Sequence, residues 1–118
     1  MKKIFILDDN EELLEIMQRL LSQEYQVHCS METDKIVEEI VDFSPDLLLL
    51  DHSIGEINSG DILARLKLSK APFTAPVVLF SAHPLLSEMA SLIGADGYID
   101  KPSDISHIRN YIKGMLDK

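Results

Sequence analysis

Hydrophobic residues occur in five short runs along the chain, separated by longer segments in which they recur at helical spacing. Short apolar runs are typical of strands, whereas recurrence every three or four positions predicts amphipathic helices. The alternation of the two patterns predicts consecutive β-α units that build a parallel sheet. The five runs are IFIL (4–7), YQVHCS (25–30), DLLLL (46–50), VVLFSA (77–82) and GYID (97–100).

Five segments show the helical spacing, one after each run. Asn10 is predicted to cap the first helix, Thr33 or Asp34 the second, and Gly94 to end the fourth. The apolar positions that mark the helices are Leu13, Leu14, Met17, Leu20 and Leu21; Ile36, Val37, Ile40 and Val41; Ile62, Leu63 and Leu66; Leu85, Leu86, Met89, Leu92 and Ile93; and Ile105, Ile108, Ile112 and Met115.

The third run has no polar residue between Asp46 and Asp51. Such continuous apolarity indicates a central parallel strand with helices packed on both of its faces. The predicted fold class is therefore α/β, a doubly wound sheet of five parallel strands with five helices.

The chain of 118 residues predicts one domain, residues 1–118. Its formal net charge of −9 and its lack of a basic run predict that it binds neither nucleic acid nor an anionic membrane directly. The apolar run after the N-terminus is too short for a signal peptide or a membrane span, so we expect a cytoplasmic protein. Cys29 stands alone and is expected to be a small buried apolar residue.

Polar residues stand where the predicted strands end. Asp8 and Asp9 follow the first run, Asp51 follows the third, Ser81 lies near the end of the fourth, and Lys101 follows the fifth. In an open parallel sheet, ligands bind outside the carboxyl ends of the strands. Three acids, a hydroxyl and an amine are therefore predicted to converge at one edge of the sheet.

Three carboxylates that lie close together repel one another and need a compensating cation. Mg²⁺ fits best, because it accepts one or two carboxylates, keeps several waters and leaves room for a phosphate oxygen. Zinc is less favoured, although His52 and His83 lie near the same edge. A carboxylate beside Mg²⁺ and a lysine can act as a nucleophile towards phosphorus, since the cations offset the charge of the incoming group.

These residues resemble the receiver domains of two-component response regulators, including the single-domain chemotaxis and sporulation-relay types, over essentially the whole chain. The resemblance implies the flavodoxin-like strand order 2-1-3-4-5. It also implies that Asp8 and Asp9 help to bind Mg²⁺ and that Asp51 accepts the phosphoryl group and shares the metal. The backbone carbonyl of Ser53 is the implied third metal ligand.

Three further residues match the receiver pattern. The resemblance implies that Ser81 contacts the phosphoryl group and that Lys101, followed by a usually cis Pro102, binds it. Tyr98 corresponds to the aromatic switch residue, which moves inward when the serine hydroxyl turns towards the phosphoryl group. Side chains at the positions of Ser53 and His83 tune the attack of water on the acyl phosphate in this family.

The loop after Asp51 departs from the family pattern. Receivers usually read D-x-x-M-P-x-M-D-G there, whereas this chain reads DHSIGEINSG, with Gly55 in place of the proline and one more residue before Gly60. A glycine leaves the loop more backbone freedom, so ordering the Ser53 carbonyl on the metal is expected to cost more.

The implied function is a phosphorylation-dependent switch and not an enzyme, although the domain takes part in its own phosphoryl transfer and dephosphorylation. Its partners would be a histidine kinase or phosphotransfer protein and an unknown downstream protein. The downstream protein is expected to bind the face formed by the fourth helix, fifth strand and fifth helix, which includes Met89, His107 and Tyr111.

Other interpretations fit parts of the sequence. A degenerate receiver would act as a protein-interaction module without phosphorylation, whereas a flavodoxin-like cofactor binder would need a first loop less acidic than DDNEE. A phosphatase of the haloacid dehalogenase type would carry its nucleophile after the first strand in a D-x-D pattern. Taken singly, Asp8 and Asp9 are also typical of acids that stabilise the start of a helix. Lys101 followed by Pro102 is also typical of a surface turn.

Overall fold

The computed structural model describes residues 1–31, 34–51, 53–54, 57–68, 73–101 and 104–117. Within these residues, strands and helices alternate along the chain, and one short hairpin interrupts the alternation. The elements are β1 (Lys3–Leu7), α1 (Glu11–Leu21), β2 (Gln26–Ser30), α2 (Ile36–Phe43), β3 (Leu47–Leu50), β4 (Ser53–Ile54), β5 (Ile57–Asn58), α3 (Ser59–Lys67), β6 (Val77–Ser81), α4 (Leu86–Ile93), β7 (Gly97–Asp100) and α5 (Ile105–Leu116).

The main sheet has five parallel strands in the order β2-β1-β3-β6-β7. Counted within this sheet alone, the order is 2-1-3-4-5, so the predicted fold class is confirmed. None of the described helices is long and apolar enough to cross a membrane.

The core lies on both faces of the sheet, because successive residues of each strand point to opposite sides. In β3, Leu48 and Leu50 pack towards α2, α3 and α4, whereas Leu47 and Leu49 pack towards α1 and α5. All four leucines are fully buried. The unbroken apolar run is therefore the sequence of a strand that is covered on both sides, as predicted.

Two of the predicted helix boundaries are confirmed and one is wrong. The side chain of Asn10 accepts a hydrogen bond from the Leu13 N–H at 3.1 Å, and Gly94 ends α4 in the left-handed conformation with φ of 79°. Asp34 does not cap α2; instead, Lys35 precedes the helix with φ of 58° and without a side-chain cap. Thr33 lies outside the described residues.

The segment after β3 contains a hairpin where the sequence predicted only a loop. Ser53 and Asn58 pair in antiparallel fashion, as do Ile54 and Ile57. The hairpin ends at Asn58, which caps α3: the Asn58 side chain accepts a hydrogen bond from the Asp61 N–H at 3.0 Å.

Cys29 is half-buried, so the prediction that it is buried is only partly correct. It lies on β2, which pairs with β1 alone and forms one edge of the sheet. An edge strand has fewer neighbours to cover its side chains, and the expectation for Cys29 was based on its extended segment and not on the edge position that the implied strand order gives the second strand.

Candidate functional site

Asp8 is the most deeply buried acid of the site. It follows β1, and its backbone N–H still donates to the Ser30 carbonyl at 3.2 Å, which fixes the residue at the carboxyl end of the sheet. One carboxylate oxygen accepts the Asn10 N–H at 2.9 Å, and the other accepts the Lys101 ammonium at 2.7 Å. A carboxylate that is only 1% exposed needs such partners, because an unpaired buried charge is strongly destabilising.

Asp51 follows β3 and faces the same region. Its backbone N–H donates to the Leu7 carbonyl at 2.9 Å, so the residue is held beside the end of β1. Carboxylate oxygens of Asp8, Asp9 and Asp51 all lie within 4.8 Å of one another, with Asp9 exposed and Asp51 12% exposed. The structure thus brings together the three acids that the sequence placed at this edge.

Lys101 follows β7 and reaches the acids at the same carboxyl edge of the sheet from two strands beyond β3. Its backbone N–H donates to the Ser81 carbonyl at 2.9 Å, which extends the pairing of β7 with β6 by one residue. Its ammonium lies 2.7 Å from Asp8 and 3.9 Å from Asp51. It also lies 4.9 Å from the centroid of the Phe80 ring, in the geometry of a cation–π contact.

Ser81 and Tyr98 lie on β6 and β7, the two strands on the Lys101 side of the sheet. Ser81 is the last residue of β6, the strand next to β3, and it is partly buried. Tyr98 lies in β7 opposite Leu79, and 40% of its surface is exposed. The Tyr98 side chain is thus in an outward position in this structure.

The residues of the loops are only partly described. Ser53 lies in β4, two positions after Asp51, and its role as a metal ligand stays a prediction. The predictions that concern His52, Gly55 and Pro102 fall outside the described residues. His83 is exposed, and its Nδ1 accepts a hydrogen bond from the Leu85 N–H at 3.0 Å.

The chemistry of the acidic cluster fits a hard divalent cation. All of its side-chain donors in the described part of the chain are carboxylate oxygens, which are ligands that Mg²⁺ prefers and zinc uses less often. The three carboxylates and the Lys101 ammonium together carry a net negative charge before any cation binds. Asp8, Asp9 and Asp51 are the side chains that would hold Mg²⁺ here.

The sequence did not reveal two contacts around the site. Phe80 reads as part of an apolar strand, and nothing in the sequence indicates that its ring borders the Lys101 ammonium. The hydroxyl of Tyr111 contacts the backbone of β7, where it accepts the Tyr98 N–H at 3.1 Å. Helical spacing did place Tyr111 on α5, but the contact depends on how α5 crosses the edge strand.

Solved structures with the same fold include receiver-like proteins. The N-terminal domain of the nisin resistance regulator NsrR, a lantibiotic response regulator, is 25% identical, with a TM-score of 0.87, and each chain covers 98% of the other. The Vibrio cholerae chemotaxis protein CheY4 has a TM-score of 0.86 over 98% of this chain and 99% of its own, and its 14% identity supports the fold alone.

Curated relatives are response regulators of greater length. Helicobacter pylori transcriptional regulatory protein CrdR is 31% identical over 98% of this chain and 55% of its own. Staphylococcus saprophyticus response regulator ArlR is 30% identical over 98% of this chain and 53% of its own. This chain therefore spans about half the length of these relatives.

A family model supplies the assignment. The model of the response regulator receiver domain matches residues 4–113, which include every strand of the main sheet except the first residue of β1, together with Asp8, Asp51 and Lys101. Receiver domains bind Mg²⁺ at an acidic pocket and interact with histidine kinases and downstream effectors. This chain belongs to that family: it is a receiver domain of a two-component response regulator.

Proposed function

We propose that this receiver is a phosphorylation-dependent switch that accepts a phosphoryl group on Asp51 from a histidine kinase or phosphotransfer protein. The observation that supports the proposal is the convergence of three carboxylates with the Lys101 ammonium at the carboxyl ends of β1, β3 and β7. Such a site can hold one divalent cation and then accept a dianionic group.

In the proposed transfer, a carboxylate oxygen of Asp51 forms a bond to phosphorus while the P–N bond of the donor's phosphohistidine breaks. The leaving imidazole takes up a proton from solvent. Lys101, already 3.9 Å from Asp51, offsets the negative charge that accumulates on the transferred oxygens. Asp8, Asp9, Asp51 and the Ser53 carbonyl would hold Mg²⁺, which would supply further positive charge to the transferred group.

Ser81 and Tyr98 would carry the signal away from Asp51. Ser81 ends the strand beside β3, so its hydroxyl can turn towards a group on Asp51. Tyr98 has an exposed ring that can move inward as the hydroxyl leaves its former position. Phosphorylation then shifts an equilibrium between two conformations, because the phosphoryl group contacts Ser81 in only one of them.

The downstream partner would bind the face formed by α4, β7 and α5. In support, two elements of this face present large apolar side chains to solvent: Leu92 of α4 is 85% exposed and Tyr98 of β7 is 40% exposed. Burial of such apolar surface is the main favourable contribution to most protein–protein association.

On this proposal, residues 1–118 form one receiver domain that is not an enzyme in the usual sense, since the phosphoryl group ends on the protein itself. Hydrolysis of the acyl phosphate by water, next to Lys101 and the metal, would reset the switch. The cytoplasmic location that the sequence predicts would place the domain beside a kinase.

The test is intact-mass analysis after incubation with a small acyl-phosphate donor, with Mg²⁺ or with chelator. We expect a Mg²⁺-dependent gain of one phosphate in the wild type and none in Asp51→Asn. Asp42→Asn, which removes an exposed carboxylate on α2 away from the site, is the matched control and should behave as the wild type.

Modification of Asp51→Asn at the wild-type rate would refute the assignment of the acceptor. If the wild type gains no phosphate and calorimetric titration detects no Mg²⁺ binding, the chain is a degenerate receiver. It would then act as a phosphorylation-independent interaction module, which is the alternative that the longer loop after Asp51 keeps open.

A further inference from the structure

A tyrosine of α5 is hydrogen-bonded to the backbone of the proposed switch residue. The backbone N–H of Tyr98 donates to the Tyr111 hydroxyl at 3.1 Å. Among the described residues, β7 pairs with β6 on one side and with no strand on the other, so the N–H groups of its outer side face no neighbouring strand there. The Tyr111 hydroxyl takes the place of a neighbouring strand at this position.

Gly97 is the residue that allows this contact. The Tyr111 ring lies directly against its Cα: a side-chain Cβ placed on Gly97 would overlap the Tyr111 hydroxyl and lie 3.1 Å from the ring carbon that bears it. Because the overlap involves the rigid end of an aromatic ring, any larger residue at Gly97 would displace Tyr111. The backbone at Gly97 and the Tyr111 ring are thus complementary in shape.

The rest of Tyr111 is fixed to the domain core. Its ring packs against the cluster that includes Ile99, Ile108 and Ile112, and so joins β7 to α5. His107, one turn earlier on α5, lies beside it with ring centroids 6.5 Å apart. A movement of the Tyr98 backbone therefore meets a side chain that is anchored in α5.

β7 is in turn tied to the proposed phosphorylation site. The Lys101 N–H donates to the Ser81 carbonyl at 2.9 Å, and Tyr98 lies opposite Leu79 on β6. The contacts form an unbroken path from Ser81 through β7 to the Tyr111 hydroxyl. A continuous set of contacts of this kind can carry energetic coupling between two sites.

We propose that Tyr111 is a positioning residue that couples the conformation of β7 to α5. When β7 moves on phosphorylation, the Tyr98 N–H and the Gly97 backbone move against Tyr111. Tyr111 then transmits this movement to the outer face of α5. The inference rests on the proposed function, because it names the route by which that switch reaches one part of its binding face.

The experiment compares amide NMR spectra of the wild type, Tyr111→Phe, Gly97→Ala and Tyr25→Phe before and after phosphorylation by an acyl-phosphate donor with Mg²⁺. Tyr111→Phe keeps the ring and removes only the hydroxyl, and Gly97→Ala displaces the hydroxyl. Tyr25→Phe is the matched control, because it removes a phenol hydroxyl from a tyrosine of the same core cluster and leaves the acceptor of the Tyr98 N–H in place. Urea unfolding first confirms that each variant is folded.

In the wild type and in Tyr25→Phe, we expect phosphorylation to shift amide signals near Asp51, in β7 and in α5. In Tyr111→Phe and Gly97→Ala, the shifts near Asp51 and in β7 should persist. The shifts of residues 105–116 should fall at least about two-fold, because the modest free energy of one hydrogen bond is lost. Before phosphorylation, the Tyr98 amide should exchange about five-fold faster in Tyr111→Phe, because its acceptor is lost.

An undiminished response of α5 in Tyr111→Phe would overturn the inference while the proposed function stands. If mass analysis shows no phosphate on any variant, the proposed function fails, and the coupling fails with it. The two failures are distinct, because the first occurs in a protein that is demonstrably phosphorylated.

Discussion

Among single residues, the three acids of the site lie close enough to repel one another, since their carboxylate oxygens lie within 4.8 Å. We expect Asp9→Asn to raise the free energy of unfolding by about 1 kcal/mol in chelator, because the repulsion it relieves at this distance exceeds the weak benefit of an acid ahead of α1. The variant should also lose most of the stabilisation by Mg²⁺, which for the wild type is about 2.7 kcal/mol at one hundred times Kd.

Urea unfolding of both proteins with Mg²⁺ and with chelator measures these quantities. Asp42→Asn again serves as the control, because its carboxylate lies outside the cluster. Equal stabilisation of Asp9→Asn and wild type by Mg²⁺ would show that Asp9 is not a metal ligand.

Cys29 provides a prediction about pH. Burial raises the pKa of its thiol from 9.0 to about 11, and its sulfur lies 3.9 Å from the Leu14 carbonyl. The thiol therefore stays neutral at neutral pH, and alkylation by iodoacetamide should be slow there and increase up to about pH 11. The folded state holds this proton more tightly than the unfolded state, so stability is unaffected below pH 9.0 and falls as pH rises towards 11.

Intact-mass analysis of alkylation as a function of pH follows the thiolate directly. The urea-unfolded chain is the reference and should titrate near the ordinary value. A folded-state midpoint at or below that of the unfolded chain would contradict the burial argument.

The sequence predicted which residues converge at the site but not how their charges pair. Asp8, Asp51 and Lys101 could be assigned because each directly follows a strand, and parallel strands end at one edge. Lys101 lies closer to Asp8 than to Asp51, and this difference depends on side-chain geometry across three strands. No local pattern encodes a difference of about an ångström between two such distances.

At the scale of elements, the start of α5 depends on one cap. The Asp104 carboxylate accepts the His107 N–H at 3.2 Å, which satisfies one of the donors that a helix leaves unpaired at its N-terminus. Asp104→Ala should therefore lower the free energy of unfolding by about 1 kcal/mol, whereas Asp104→Asn, which keeps the accepting oxygen, should change it by only a few tenths. Urea unfolding distinguishes the two, and an equal loss in both variants would mean that charge, not the cap, stabilises the helix.

The elements that the sequence missed are those in which local signals are weak. α2 begins after Lys35 in the left-handed conformation, which a lysine adopts only at some energetic cost, so tertiary packing of Ile36 and Ile40 decides where this helix starts. The two-residue strands of the hairpin are too short to show alternation. By contrast, each buried strand and each longer helix contains several apolar residues at the spacing of its element, and these elements were predicted correctly.

For the whole molecule, net charge led to predictions about partners that remain untested. A formal charge of −9 opposes binding to phosphates, so we predicted that these residues do not bind nucleic acid directly. One of the curated relatives is a transcriptional regulatory protein, and the match covers 55% of its length.

The two faces of the sheet share β3, and this predicts a single cooperative unfolding transition. Leu48 packs in the cluster of α2, α3 and α4, and Leu49 in the cluster of α1 and α5. Each change to Ala should cost about 2–5 kcal/mol, since each leaves a cavity in a fully buried site. Val27→Ala, on the edge strand β2 and only partly buried, should cost markedly less.

Two spectroscopic probes can separate the faces during unfolding. Tyr25 and Tyr111 both belong to the cluster of α1 and α5, so tyrosine fluorescence follows mainly that face, whereas circular dichroism follows all helices. If β3 joins both clusters into one unit, the two probes should give the same urea midpoint in Leu48→Ala and in Leu49→Ala. A lower urea midpoint by circular dichroism than by fluorescence, seen in Leu48→Ala alone, would show that the face of α2, α3 and α4 unfolds independently. The site at the end of β3 would then lie between two faces that unfold separately.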